Sequence, residues 1–414
     1  LWSSLAGDTF AQSQGRSLRR DVKTQTSTLT YFKSRHYDVY SELPKDQSLH
    51  YAHHMDQAFE EYEKRFDFNT KPEISAAIPI SLFLFVTQAS YEGHLTQREI
   101  PSANTNGIFF YQPPQKIGAQ PVIGLATFVQ GRSVTDVQST LQHEGFHQFA
   151  FRAFGPRLPI WVNEGLAQYF EDGILVGSRF VLDHADTKRI EYVQAAIRNE
   201  RTIAFDELLT MTHQAWAESL QKHPERSALL YDQAWSMCHF LITAENQRYR
   251  AAFYAYLRLV ALGRDSDKAF LEAFKVRDYQ AFERTWLRYA AAVEPDPLNV
   301  ARTRLNVLGH ALRFMHNRDD RMPRNVGDLR HRLQSINYRL TYRTHGFERV
   351  YLASDEELFR YPTRDGRRTM PFRMLEAEAA NLPPRIHAPG LRPEPTLIWY
   401  RDDRGELIQD IRYR

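Results

Sequence analysis

The sequence predicts an α+β protein. Strand-like runs crowd the first 130 residues, helical periodicity takes over between 133 and 292, and an Arg-rich tail with one helix and several short strands follows. The 414 residues leave room for two or three domains and a sizeable core. Hydrophobic residues at 43% and charged residues at 25% form an ordinary globular balance, which argues against long disorder. A net charge of +3 is small for this length, so a nucleic-acid partner is not expected. No apolar run approaches the ~20 residues of a membrane helix, so no membrane span is expected. The longest run, Ile78 to Val86, reads as a strand. The single cysteine, Cys238, excludes a disulfide within the chain and a Cys-rich zinc finger. A first residue of Leu1 suggests a processed chain. An exported or cell-envelope location is therefore favoured over a cytoplasmic one.

Taken in order, residues 1–27 are polar, with Arg16, Arg19 and Arg20 clustered, and read as a lead-in segment. Residues 28–42 alternate and carry β-branched and aromatic side chains, which predicts one or two strands. From Pro44 to Phe66 the pattern is helical, with Tyr51, Met55, Phe59 and Tyr62 on one stripe. Three strand-like runs follow: Ile78–Thr87, Gly107–Tyr111 and Val122–Val129. Loops rich in Gly, Pro, Asn and Gln separate them. Ser133–Phe154 is a helix, with Gly155-Pro156 as its stop. A shorter helix starts near Pro159 and ends before Gly173. Ser227–Glu245 and Arg248–Leu262 are among the later helices, which run to about Ala292.

Glu294–Asn299 reads as a linker or boundary turn. Beyond it, residues 301–414 hold 22 Arg, no Lys and 15 acidic residues, a charge of +7 that leaves −4 for the rest. A helix over Arg304–Met315 leads into short strands, and this stretch is expected to be a separate α+β domain. Its Arg excess reads as arginine used in place of lysine on a solvated surface, with phosphate or polymer binding as the alternative.

The chemistry is concentrated in Gln142-His143-Glu144-Gly145-Phe146-His147-Gln148, an HExxH pattern inside a helix. Residues four apart share a helix face, with Cβ atoms about 6 Å apart. Two imidazoles so placed can bind one zinc ion, at roughly 2.0–2.1 Å each. Glu144 is one step round the helix, where its carboxylate can take a proton from a metal-associated water and pass it to a leaving amine. A catalytic zinc needs a third protein ligand and one open position. Glu164 lies 17 residues after His147 on the next helix, beyond a turn that folds this helix back on the first. The HExxHxxGxxH alternative fails, because positions 150 and 153 hold Ala150 and Ala153.

HEGFHQ followed by P-x-W-x-N-E-G-L-A-x-Y-F-E resembles the gluzincin metallopeptidases of the peptidase MA clan. It looks closest to an uncharacterised bacterial family with HExxHQ and W-x-x-E-G-L-A-x-Y-F-E helices. The resemblance covers about residues 28–292. It implies a mixed β-sheet packed on the HExxH helix, with 28–132 as the N-terminal α/β part of the peptidase domain. The helical zinc-binding part would be 133–296, and 301–414 an accessory domain. It also implies one Zn2+ per chain held by His143, His147 and Glu164, with Glu144 as general base. Tyr231, on a later helix, fits the place of a tyrosine that stabilises the oxyanion, although a core tyrosine beside Leu230, Ala234 and Trp235 is an equal reading. His213 and His223 read as ordinary surface histidines. Related enzymes place an acid three or four residues after the glutamate ligand to orient a histidine. Here those positions are Ala167 and Gln168, so Gln168, Asp136 or Asp172 is expected in that role.

The implied function is hydrolysis of peptide bonds by a zinc-activated water, with a peptide or protein substrate. Such enzymes hold an extended peptide against a sheet edge. Gly107–Tyr111 or Val122–Phe128 can supply that edge, although either also reads as an interior strand. The alternative is a catalytically silent gluzincin-like module, with a structural or vestigial zinc site, acting in binding or at the envelope.

Overall fold

The computed structural model describes residues 29–66, 78–102, 105–114, 116, 119–182, 185–344, 347–402 and 404–414. The expected lead-in over 1–27 lies outside the described residues. The protein is α+β, and it divides into two compact units. Among the described residues, the first draws on those between 29 and 130, 136–182 and 196–291; the second on those in 131–135, 185–195 and 292–414.

The first unit is built on a five-stranded mixed sheet. β1 (Thr30–Lys33) and β2 (Tyr37–Ser41) pair antiparallel, and helix α1 (Lys45–Phe66) crosses over to β3 (Ile80–Phe85). With β4 (Gly107–Gln112) and β5 (Val122–Phe128) the order is β1-β2-β3-β5-β4. β2, β3 and β5 run parallel, while the two edge strands run antiparallel to their neighbours. Every residue of β3 is buried, as expected of an apolar strand covered on both faces.

One face is covered by α2 (Gln88–Thr96), where Tyr91 and Leu95 join Phe83, Phe85, Phe110 and Phe128 in one apolar cluster. This helix falls where the sequence suggested only loop. It buries just two side chains and carries Gly93 mid-helix, so its periodicity is faint. Thr87 starts it by accepting from Ser90 N, 3.1 Å.

The other face is covered by α1 and α3 (Val134–Phe154). The expected stripe Tyr51, Met55, Phe59 and Tyr62 is buried. α1 lies directly on the α3 backbone, because a Cβ at Gly145 would sit 2.4 Å from Met55 Cε. Gln148, at the end of HEGFHQ, is fully buried and donates to the carbonyls of Ser81 (3.2 Å) and Ile123 (2.8 Å). That amide pins α3 to β3 and β5.

A turn at Gly155–Arg157 leads to α4 (Ile160–Glu171). The ribbon β6 (Ile174–Val176) and β7 (Arg179–Val181) follows, then α5 (Thr187–Arg198), α6 (Phe205–Thr210) and α7 (His213–Lys222). Next come α8 (Pro224–Gln247), α9 (Arg250–Ala261), α10 (Ser266–Phe274) and α11 (Tyr279–Ala292). α8 leaves helical geometry at Ala244–Asn246. α4 packs on α8 so closely that a Cβ at Gly165 would meet Ala234 O at 2.5 Å and Cys238 Sγ at 2.7 Å. Aromatic side chains fill the rest of this lobe: Trp161 stacks on Tyr256, and Phe240 packs against Tyr249 and Phe282.

The second unit contains α12 (Pro297–His316), α13 (Val326–Ser335) and a four-stranded antiparallel sheet. That sheet runs β12 (Arg373–Leu375), β13 (Arg385–His387), β14 (Pro395–Arg401), β15 (Leu407–Tyr413). The ribbons β8 (Arg339–Thr344) with β9 (Phe347–Leu352) and β10 (Arg360–Pro362) with β11 (Thr369–Pro371) complete it. α12 begins seven residues earlier than its periodicity suggested. Asp296 accepts from Leu298 N at 2.8 Å and Pro297 takes the first helical position, so half of the expected linker is a helix start. The segment 185–195 joins this unit through the ion pair Asp186–Arg302, 3.1 Å. Among the described residues, no helix is long and apolar enough to cross a membrane.

Candidate metal centre

α3 and α4 supply the site. His143 and His147 lie one turn apart on α3, with ring centroids 4.8 Å apart. Both Nε2 atoms converge on one oxygen of Glu164, in the second turn of α4. Glu164 Oε2 is 3.8 Å from His143 Nε2 and 3.7 Å from His147 Nε2. Among the described residues this is the one group of three or more metal-ligating side chains brought together. All three side chains are largely buried.

The other carboxylates complete a polar shell. Glu144 Oε2 accepts from the main-chain N–H of Phe109 on β4, 2.8 Å, which fixes that oxygen and leaves Oε1 uncommitted. His143 Nδ1 meets Glu171 Oε2 at 3.1 Å. Glu171 is thus the residue that orients His143, in place of Gln168, Asp136 or Asp172. The sequence held a signal for it. Glu171 stands seven residues after Glu164, two helical turns, and therefore on the same face of α4.

The charges respond to this crowding. Burial alone would push His143 down. The hydrogen bond and charge of Glu171, with Glu144 and Glu164 behind them, outweigh burial and raise it to about 9. His147 is lowered to about 3 by burial and by His143, against a favourable contact with Asn163. Glu164 rises to about 7, driven by burial and by Glu144 and Glu171, with His143 opposing. Burial likewise lifts Glu144 above the usual carboxylate range.

This donor set fits a divalent cation. Glu144 and Glu164 are crowded round two imidazoles, with the partly exposed Glu171 beside them, and the raised proton affinity of both buried carboxylates marks a place where a cation would relieve their charge. Donors about 2.1 Å from a common ion lie about 3.4–3.6 Å apart, a few tenths of an ångström inside the 3.8 and 3.7 Å that separate Glu164 Oε2 from the two Nε2 atoms. Two histidines and a carboxylate make a set that suits zinc.

Of the weaker candidates, Tyr231 stands on α8 within range of the site. The charges of Glu164 and Glu144 reinforce burial in pushing its phenol well above the usual value. Its ring meets Trp216 edge-on, centroids 5.3 Å apart. His213, the first residue of α7, is half-buried, and its charge adds a small contribution to the lowering of His147. His223 is at the other end of α7, on a cleft lined by Glu207, Lys222 and Arg226. Of the two strands offered as a substrate edge, β4 is the edge and β5 is interior, between β3 and β4.

A family model described as "protein of unknown function (DUF1570)" matches residues 137–261. That span takes in His143, Glu144, His147, Glu164, Glu171, His213 and Tyr231. No curated protein matches the chain.

Proposed function

We propose that this chain is a zinc-dependent metallopeptidase of gluzincin type. The observation that carries the reading is the convergence of His143 Nε2 and His147 Nε2 on Glu164 Oε2, with an intact Glu144 anchored beside them. His143, His147 and Glu164 would hold the ion. Zinc, when bound, polarises a carbonyl and makes water a better acid. A structural zinc site has no use for the uncommitted Oε1 of Glu144, whereas a hydrolase does.

The chain's own groups have distinct tasks. Glu144 uses Oε2 to hold Phe109 N–H and Oε1 to move a proton from the attacking water to the leaving amine. Its raised proton affinity makes it a better base than an exposed glutamate. Glu171 holds the His143 ring so that Nε2 faces the ion. Tyr231 keeps its proton over the working pH range and can donate it in a hydrogen bond to a developing oxyanion.

The edge strand supplies the substrate's track. Phe109 points its N–H away from β5, so in an antiparallel pair Gly107 and Tyr111 do the same. The Phe109 N–H is committed to Glu144, so an extended peptide would pair with the remaining outward main-chain groups of this strand, whatever its side chains.

The test is a purified chain and its Glu144→Gln variant, incubated with a denatured protein substrate. Both should carry about one zinc per chain, and only the unaltered chain should cleave. Cleavage at equal rates by both, or by neither, refutes the reading.

A further inference from the structure

One buried amide next to the histidine pair takes no part in the chemistry above. Gln142 is 1% exposed, yet its side chain is fully engaged. Its Nε2 donates to the carbonyls of Phe170 and of Gly173, the latter at 3.0 Å. Its Oε1 faces His54 Nε2 at 3.0 Å, and its main-chain carbonyl accepts from the Tyr62 hydroxyl at 2.8 Å. An amide nitrogen has two protons, and both are committed to carbonyls, so the group cannot turn over. His54 must then donate from Nε2. Its Nδ1 is buried without a partner, as a neutral ring allows.

The place of those two carbonyls gives the amide its importance. Phe170 is in the last turn of α4, its carbonyl also accepting from Gly173 N at 2.9 Å, and Gly173 lies just beyond the helix end, so the amide holds both sides of that closing turn. Two consecutive residues of α3 therefore grip two consecutive residues of α4. Gln142 holds the Phe170 main chain, and His143 meets the Glu171 side chain. α4 is a short regular helix, so fixing its end also fixes Glu164 two turns earlier.

We propose that Gln142 is a positioning residue of the metal centre: its clamp on the end of α4 sets how Glu164 and Glu171 meet the two imidazoles, and His54 supports the clamp by donating to the amide oxygen. This rests on the reading of the site as a metal centre. Removing the clamp leaves all three donors in place but lets α4 drift against α3, so the cost appears in metal affinity and coordination geometry.

The experiment measures zinc affinity by competition with a chromophoric chelator, and the absorption bands of the Co2+-loaded protein, on the full chain. Gln142→Met should stay folded by circular dichroism, bind zinc about tenfold or more weakly, and alter the Co2+ bands. Phe85→Leu, on the opposite face of the sheet, should lower stability while leaving both metal readouts unchanged. His54→Leu leaves the buried Gln142 Oε1 without its donor, which strains the clamp, and should also weaken binding. His54→Gln can still donate to Gln142 Oε1 and should restore it. That pair carries the test if Gln142→Met does not fold. Zinc affinity unchanged in Gln142→Met and His54→Leu, beside a zinc-binding unaltered chain, overturns the clamp alone. An unaltered chain that binds no zinc removes the metal centre and the clamp with it.

Discussion

Replacing Gly165 by alanine should destabilise this protein, although alanine is the better helix former by about 1 kcal/mol. The added Cβ would lie 2.5 Å from Ala234 O, 2.7 Å from Cys238 Sγ and 2.8 Å from Ala234 C. Two of those three atoms are main chain of α8, which cannot rotate aside. α4 and α8 must part, and overpacking of this kind costs about 1–3 kcal/mol, occasionally more. The net effect should be a loss of up to about 2 kcal/mol, against the helix-propensity sign. Gly93→Ala is the matched control. It also lies within a helix, but nothing stands within 4 Å of its Cβ, so it should gain up to about 1 kcal/mol. Urea unfolding followed by far-UV circular dichroism compares the midpoints of the transition. Gly165→Ala should unfold earlier than the unaltered chain, and Gly93→Ala later. Because Glu164 is the preceding residue, Gly165→Ala should also bind zinc more weakly. A Gly165→Ala midpoint at or above that of the unaltered chain would refute the close α4–α8 contact.

Other consequences can be checked separately. Glu171→Ala should weaken zinc binding by about 10–100-fold, measured by chelator competition, since the His143 ring loses its acceptor. Tyr231→Phe should leave zinc content unchanged and lower kcat by about 10²-fold or more in a peptide-cleavage assay, if its phenol meets the oxyanion. His54 makes stability fall in acid. Burial, with help from His50 and His53 and against the Gln142 hydrogen bond, holds it at about 4, below its ordinary 6.5. The unfolded chain therefore takes up this proton first, so the stability is complete above pH 6.5 and is lost as pH falls toward 4. The loss amounts to about 3 kcal/mol. Urea midpoints between pH 7 and 4 should fall less steeply in His54→Gln.

The central features were legible because they repeat at helical spacing. Four residues separate His143 from His147, and a Gly-Pro turn announces that the next helix folds back with Glu164 near its start. Glu171 obeys the same helical geometry, yet the expectation looked one turn beyond Glu164 and the acid stands two turns beyond. Gln142 and Gln148 were invisible in another way. Both look like ordinary polar residues, and only the packed partners, Phe170 and Gly173 for one and Ser81 and Ile123 for the other, reveal why amides are needed. Strand order was equally hidden. β4 and β5 are both short apolar runs, and which one ends the sheet depends on long-range pairing that neither run encodes. α2 was missed because its helical stripe is two residues long, and the start of α12 because an Asp-Pro pair serves a turn and a helix cap alike.

The most direct measurement is zinc-edge anomalous scattering from crystals grown with excess zinc. The account expects one strong peak among His143 Nε2, His147 Nε2 and Glu164 Oε2, with one coordination position not taken by protein and facing Glu144. The absence of a peak there, or a peak whose fourth position is closed by another side chain, would contradict it.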